Sequence, residues 1–195
     1  MTMKKISRIL ILILTLSLIA VYFVPIWNIS LQAPQYPEGL GMQIWLNKIT
    51  GDLNTINGLN HYIGMKTIQP DSIEELKLMP YIIGFLIISG LIVFIFNKRY
   101  LLLSWFLFVL ILGAAGMYDF RSWEYDYGHN LDPTAAIKVP GMNYQPPLIG
   151  SKQLLNFNAT SMPDIGGYII FAAGIIAALV LIYEYKFNKI QNVKI

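Results

Sequence analysis

The segment that decides the fold is PYIIGFLIISGLIVFIF-NKR-YLLLSWFLFVLILGAAGM, residues 80–117. It contains two apolar blocks, Pro80–Phe96 and Tyr100–Met117, each close to the length that a helix needs to cross a hydrocarbon core of about 30 Å. Only Asn97-Lys98-Arg99 separates the blocks, so the two predicted helices form an antiparallel hairpin. The chain is therefore predicted to be an integral membrane protein.

Two further apolar blocks complete a set of four predicted transmembrane helices. The first, Leu10–Val24, follows a basic N-terminus and is followed by no small-residue cleavage pattern, which favours an uncleaved anchor over a signal peptide. The last is Ile165–Tyr185. The composition agrees, because 55% of the residues are hydrophobic and 13% are charged, whereas roughly a quarter are charged in soluble domains.

The distribution of charge predicts the orientation. Eight basic residues stand at one side of the predicted helices against the single acid Glu184, a net charge of +7: Lys4, Lys5, Arg8, Lys98, Arg99, Lys186, Lys189 and Lys194. Six basic and ten acidic residues on the other side give a net charge of −4. Since Lys and Arg accumulate on the cytoplasmic side, both termini are predicted to be cytoplasmic, in a multi-pass protein of the bacterial cytoplasmic membrane.

This topology divides the chain into five segments: residues 1–26, 27–79, 80–117, 118–164 and 165–195. The second and fourth are periplasmic loops of about fifty residues, and structureless loops of that length are uncommon. They are predicted to fold together. The expected fold class is an all-α membrane bundle of four helices with a small α+β periplasmic cap.

Local patterns predict the elements of the cap and the ends of the helices. Three runs have strand-like patterns and a fourth has helical spacing, with Asp52 as its N-cap: Trp27–Ala33, Met42–Leu46, Gln153–Ala159 and Leu53–Ile63. Pro80 is expected in the first turn of its helix, where its missing N–H is tolerated. The helix that starts at Tyr100 is expected to project beyond the membrane and end at Gly128.

Residue types exclude several classes of function. The centres of the predicted transmembrane helices contain no ionisable residue, which argues against a pump, a proton relay or a transporter of charged substrates. The chain contains no cysteine, so disulfides, thiolate metal sites and cysteine nucleophiles are excluded. No catalytic residue is predicted, and the bundle is interpreted as an anchor.

A candidate copper site lies in the cap. Both histidines of the chain, His61 and His129, fall in the predicted periplasmic loops, with Met65 one helical turn after His61 and Asp126 close to His129. Imidazole and thioether are ligands that suit copper where thiolate is absent. The alternative is that both histidines are hydrogen-bonding residues of a packed cap.

Five segments resemble a known family: Pro34–Leu40 (PQYPEGL), Leu59–Met65 (LNHYIGM), Gly128–Pro133 (GHNLDP), Pro140–Gly150 (PGMNYQPPLIG) and Leu154–Phe157 (LLNF). Together with the four-helix topology they resemble the NosB-like membrane proteins encoded beside the atypical nitrous oxide reductase. No catalytic motif transfers from that family to this chain.

The resemblance implies a place in denitrification, in the maturation of a periplasmic copper enzyme or its supply with copper or electrons. The leading interpretation is a non-enzymatic accessory protein acting in assembly, metal handling or docking. The alternatives are a redox-linked subunit that passes electrons from quinol towards the periplasm, and a membrane enzyme with a copper site in the cap. The expected partners are membrane lipid and the copper enzyme or its assembly proteins, and nucleic acid is not expected.

Overall fold

A computed structural model describes the backbone of residues 2–192 and the side chains of residues 2–186. Four of its helices, α1, α3, α4 and α5, are long and apolar enough to cross a membrane. The elements in chain order are α1 (Lys5–Ala20), β1 (Trp27–Ala33), β2 (Tyr36–Ile44), β3 (Ile49–Gly51), α2 (Leu53–Ile63), α3 (Glu74–Phe96), α4 (Arg99–His129), β4 (Gly150–Leu154), β5 (Phe157–Pro163) and α5 (Ile165–Asn192). The side chains of Lys189 and Lys194, two of the eight basic residues on the predicted cytoplasmic side, lie outside the described part of the chain.

The predicted position of Pro80 in the first turn of its helix is wrong. The helix begins at Glu74, and Pro80 lies inside it. Glu74 and Glu75 occupy the first turn, where acidic side chains interact favourably with the positive end of the helix dipole. Pro80 lacks an N–H for the helix, while its carbonyl oxygen accepts a hydrogen bond from the Tyr22 hydroxyl. The missing N–H removes the helical hydrogen bond to the Leu76 carbonyl oxygen, yet the helix continues through Pro80 to Phe96.

Helix α4 extends well beyond a membrane span. Its 31 residues correspond to a length of about 46 Å, against a hydrocarbon core of about 30 Å. From Met117 onwards its side chains pack on the strands and α2, through Phe120, Trp123 and Tyr127 among others. Residues 99–116 are the part of α4 that could span a membrane, and residues 117–129 belong to the unit that the sheet and α2 form, called the cap below. The helix was predicted to end at Gly128, and it ends at His129.

The helices pack around a buried tryptophan. Trp105 of α4 is 1% exposed, and its indole N–H donates a hydrogen bond of 2.9 Å to the Leu86 carbonyl of α3. Helices α1 and α3 approach closely at Gly90. A Cβ added to this glycine would lie only 2.3 Å from the Thr15 hydroxyl oxygen. Glycine at position 90 thus sets the distance between these two helices.

A polar cluster closes the end of the bundle opposite the cap. Glu184 of α5 is fully buried, and its Oε1 accepts hydrogen bonds from the Lys4 backbone N–H at 2.8 Å and the Ser7 hydroxyl at 2.6 Å. Its Oε2 lies 2.9 Å from the Nε of Arg99. The start of α1, the α3–α4 turn and the end of α5 therefore meet at one end.

The strands form a five-stranded antiparallel sheet in the order β3-β2-β1-β5-β4. Strand β1 is central, with Trp27 opposite Ile44 of β2 on one side and opposite Pro163 of β5 on the other. Strands β1 and β5 come from the two different long loops. The prediction that these loops fold together is confirmed.

Two of the predicted strands have different bounds. Only residues 42–44 of the run Met42–Leu46 lie in a strand, at the end of β2, which runs from Tyr36 to Ile44. The run Gln153–Ala159 is not one strand, because the chain reverses at Leu155 and Asn156, with Leu154 paired to Phe157. Leu155 has a φ of 55°, a conformation that leucine rarely adopts, so its sequence gave no turn signal.

Helix α2 has the predicted bounds, but Asp52 does not cap it. The Asp52 side chain makes no cap hydrogen bond to the helix. Its Oδ2 instead accepts a hydrogen bond of 2.8 Å from the Gly41 backbone N–H of β2. The carboxylate thus fixes the start of α2 to the sheet.

Candidate ligand-binding groove

A large groove lies where the bundle meets the cap. Its volume is about 490 Å³, and α3, α4 and α5 form its walls together with residues of β2, β3 and the β2–β3 connection. The lining is almost wholly apolar and includes Leu76, Met79 and Ile83 of α3 and Ile44 and Ile49 of the cap. A pocket of this composition suits an apolar ligand.

Small residues keep the α4 side of the groove open. Gly113, Ala115 and Gly116 all line it. A Cβ added at Gly113 or at Gly116 would meet no atom within 4 Å. The space beside α4 is therefore unfilled by neighbouring side chains, and a larger residue at these positions would enter the groove.

Aromatic rings line the part of the groove next to the cap. The rings of Trp27 and Phe120 meet edge to face, with centroids 5.2 Å apart, and Phe120 and Trp123 lie nearly parallel with centroids 6.5 Å apart. The indole N–H of Trp27 donates to the Ser161 hydroxyl at 2.7 Å, which fixes the ring. Such a surface favours contact with a planar ring of a ligand.

Two carboxylates, Glu75 and Asp119, are the only charged groups among the residues that line the groove. Burial, and secondarily the nearby charge of Glu75, raises the pKa of Asp119. Carboxylates accept hydrogen bonds from hydroxyl or amine donors and repel anions such as phosphate. The groove therefore combines an apolar body with hydrogen-bond acceptors.

Sequence reasoning missed this pair, although a signal was present. Glu75 stands just before the apolar block of α3, and Asp119 stands just after that of α4. The outer ends of an antiparallel hairpin lie side by side. Acids at the two outer flanks could therefore have been paired from the topology alone.

The residues predicted to bind copper lie in different surroundings. His61 is exposed on α2, and half-buried Met65 lines a separate cavity in the cap. The carboxylate of Asp126 forms an ion pair of 2.6 Å with Lys66. Hydrogen bonds from Lys66 and Asn130 lower the pKa of Asp126. His129 stacks on Tyr125 with ring centroids 4.0 Å apart, and its Nδ1 lies 3.1 Å from the Tyr125 carbonyl oxygen.

Asp126 and His129 thus both contact neighbouring groups of the cap. Among the described residues, no group of three or more His, Cys, Asp or Glu side chains is placed to hold a metal ion. The shared copper site of His61, Met65, Asp126 and His129 stays a prediction.

Comparison with known proteins gives no relative for this chain: no family model, no curated protein and no solved structure matches it.

Proposed function

We propose that this chain is a non-enzymatic membrane accessory protein whose groove binds a neutral, hydroxyl-bearing isoprenoid lipid of the quinol class. The observation that carries the proposal is an apolar groove of about 490 Å³ whose only charged lining residues are Glu75 and Asp119. A quinol ring would lie against the aromatic surface of Trp27 and Phe120, and its hydroxyl groups would donate to the carboxylates.

The size and chemistry of the groove favour this occupant over a phospholipid. A cavity of about 150 Å³ already binds benzene, so the groove has room for a quinol ring and the first part of its isoprenoid tail. A phospholipid would bring its phosphate towards two acids, at a cost in electrostatic energy. A neutral head group with hydroxyl donors matches both carboxylates.

The proposed orientation puts the cap in the periplasm. The cluster around Glu184 joins the basic N-terminal segment, the turn at Lys98 and the end of α5 at one end of the bundle. This end carries the excess of Lys and Arg, which supports a cytoplasmic assignment. The groove, next to the cap, would then open in the outer leaflet.

The family resemblance supplies the proposed context, a nitrous oxide reductase system. The cap would serve the periplasmic copper enzyme in assembly, metal handling or docking. Electron transfer from the bound quinol to that partner is a second candidate function, favoured by the contact between the groove and the cap. Affinity purification from native membranes, with identification of the proteins that co-purify, tests the context separately from lipid binding.

The binding test uses the full chain in nanodiscs and a short-chain benzoquinol. Trp27 and Trp123 line the groove, so ligand binding should quench tryptophan fluorescence saturably. The variant Gly113→Phe fills the groove and should abolish the quenching, whereas Gly113→Ala should retain it. Quenching by Gly113→Phe equal to that of the wild type would place the ligand elsewhere.

The carboxylates are tested with Glu75→Gln and Asp119→Asn. Each removes a charge-assisted hydrogen bond worth about 1.5–3 kcal/mol, so the affinity should fall at least about tenfold. Glu38→Gln is the matched control, because Glu38 is an exposed acid of the cap that does not line the groove. If an anionic phospholipid displaces the benzoquinol equally well in all variants, the groove is a general lipid site and the quinol assignment is wrong.

A further inference from the structure

The cap contains a second cavity, called the chamber below. Its volume is about 100 Å³, and α2, α4, the sheet and the segment around Tyr144 enclose it. Its walls are mostly aliphatic, aromatic and thioether side chains, including Met42 and Met65. Among the polar side chains that line it, Asn60 and Tyr127 donate hydrogen bonds to the backbone carbonyls of Lys66 and Thr67. Glu124 and Tyr144 also line this space.

Glu124 and Tyr144 are buried without partners. Glu124 is fully buried, and neither of its carboxyl oxygens has a hydrogen-bond partner among the described residues. Tyr144 is 4% exposed, and within the same described part of the chain its hydroxyl has none either. Buried polar atoms are nearly always paired, so three unpaired oxygens beside one cavity indicate an occupant that pairs them.

We propose that the chamber binds a short primary alkylammonium ion, whose N–H groups donate to Glu124 and Tyr144. The ammonium group has three N–H donors and no acceptor, which matches the two carboxyl oxygens and the hydroxyl oxygen. The positive charge balances the buried carboxylate, and such charge-assisted hydrogen bonds are the strongest kind available to it. The inference is independent of the lipid proposed for the groove.

The chamber also suits the alkyl part of this ion. Since a cavity of about 150 Å³ binds benzene, a chamber of this size accepts about four or five heavy atoms. Trp123 and Tyr127 form a stacked pair in its wall, with ring centroids 4.2 Å apart, and aromatic faces attract cations. Leu155 lines the chamber and is 41% exposed, so the β4–β5 turn lies between the chamber and solvent.

Water is the competing occupant. About three water molecules fit the volume at their liquid density and could also bond to the three oxygens. Water filling predicts no response to amines. An ammonium site predicts a response that depends on the length of the alkyl chain and on the number of N–H donors.

The experiment is isothermal titration of the full chain in detergent, in an amine-free phosphate buffer at constant ionic strength. The titrants are methyl-, propyl-, butyl- and hexylammonium chloride, with tetramethylammonium as the ion that has no N–H donor. Propyl- and butylammonium should bind best, hexylammonium should be excluded by size, and tetramethylammonium should bind at least tenfold more weakly.

Substitutions of the two chamber residues test whether the amines bind in the chamber. Glu124→Gln removes the charge and should weaken butylammonium binding at least tenfold, and Tyr144→Phe should weaken it several-fold. Glu38→Gln should bind like the wild type. Equal affinity in the wild type and in either chamber variant overturns the proposal, as does the absence of heat with every amine, which would leave water as the occupant. If Glu124→Gln does not fold, Tyr144→Phe and the chain-length series decide.

Discussion

The Nε of Arg99 lies 2.9 Å from the Oε2 of Glu184, which joins α4 to α5 at the end of the bundle opposite the cap. The two side chains are 11% and 0% exposed. Both charges are therefore largely removed from water, and each helps to compensate the other.

Removal of one partner should destabilise the bundle more than removal of both. Glu184→Leu leaves Arg99 buried without its carboxylate and is expected to cost about 3–5 kcal/mol. The double variant Arg99→Met/Glu184→Leu should recover much of this loss. Ser7→Ala removes one hydrogen bond to the carboxylate and should cost about 1.5–3 kcal/mol. Unfolding in mixed detergent micelles measures all three, and a double variant as unstable as Glu184→Leu would show that the ion pair is not the cause.

The chain contains no cysteine, so single cysteines can report its orientation. Ala136 lies in the exposed segment after α4, and Lys98 lies in the α3–α4 turn. In cells with a permeabilised outer membrane, an impermeant maleimide should label Ala136→Cys and spare Lys98→Cys until the inner membrane is lysed. Labelling of Lys98→Cys in intact cells would invert the proposed topology.

The four long apolar helices were predictable because their signal is local. An apolar block of about 17–20 residues has few alternatives to a membrane helix, and residues such as Val93, Leu102 and Trp105 fall inside these blocks. Strand β1 and helix α2 were found for the same reason, since their patterns repeat within one element. Their bounds agree with the prediction.

The rest depended on contacts between distant residues. Leu155 in a left-handed turn gives no sequence signal, so the β4–β5 hairpin was read as one strand. Asp52 has the residue type of an N-cap, but its carboxylate bonds to Gly41 of a neighbouring strand. Glu75 and Asp119 can be paired only by combining two segments, because the predicted α3–α4 hairpin brings the outer ends of its helices together. Neither this turn nor these contacts can be predicted from a single segment of the sequence.

Gly128 controls how closely the chain around Tyr144 approaches α4. A Cβ on Gly128 would lie 2.4 Å from the Gln145 backbone nitrogen, and the Gly128 carbonyl accepts the Tyr144 backbone N–H at 2.9 Å. Gly128→Ala should therefore push this segment away and destabilise the cap by about 1–3 kcal/mol.

Gly58 of α2 provides the matched control for Gly128. A Cβ on Gly58 would meet nothing within 4 Å, so Gly58→Ala should stabilise the helix by up to about 1 kcal/mol. Thermal unfolding of both variants measures the difference. Equal and small effects of the two substitutions would mean that the contact at Gln145 relaxes freely.

Glu124 should make the stability of the cap depend on pH in the absence of amines. Burial raises the pKa of Glu124, which lies in the part of α4 that belongs to the cap, to about 8, against the opposing effect of Arg121. The ordinary value of 4.5 applies to the unfolded chain, so the folded chain holds this proton more tightly. The stability is then full below pH 4.5 and is lost as the pH rises towards 8, by about 1.4 kcal/mol for each pH unit.

The measurement is thermal unfolding of the cap between pH 5 and pH 8 in amine-free buffers. Lys66 holds the pKa of Asp126 below its ordinary value, so this acid contributes only at lower pH and does not disturb the window. Glu124→Gln keeps the shape of a protonated carboxyl and cannot ionise, so its stability should stay nearly constant where that of the wild type falls. Parallel profiles for the two proteins would show that Glu124 does not titrate in the chamber, because its charge is compensated at every pH.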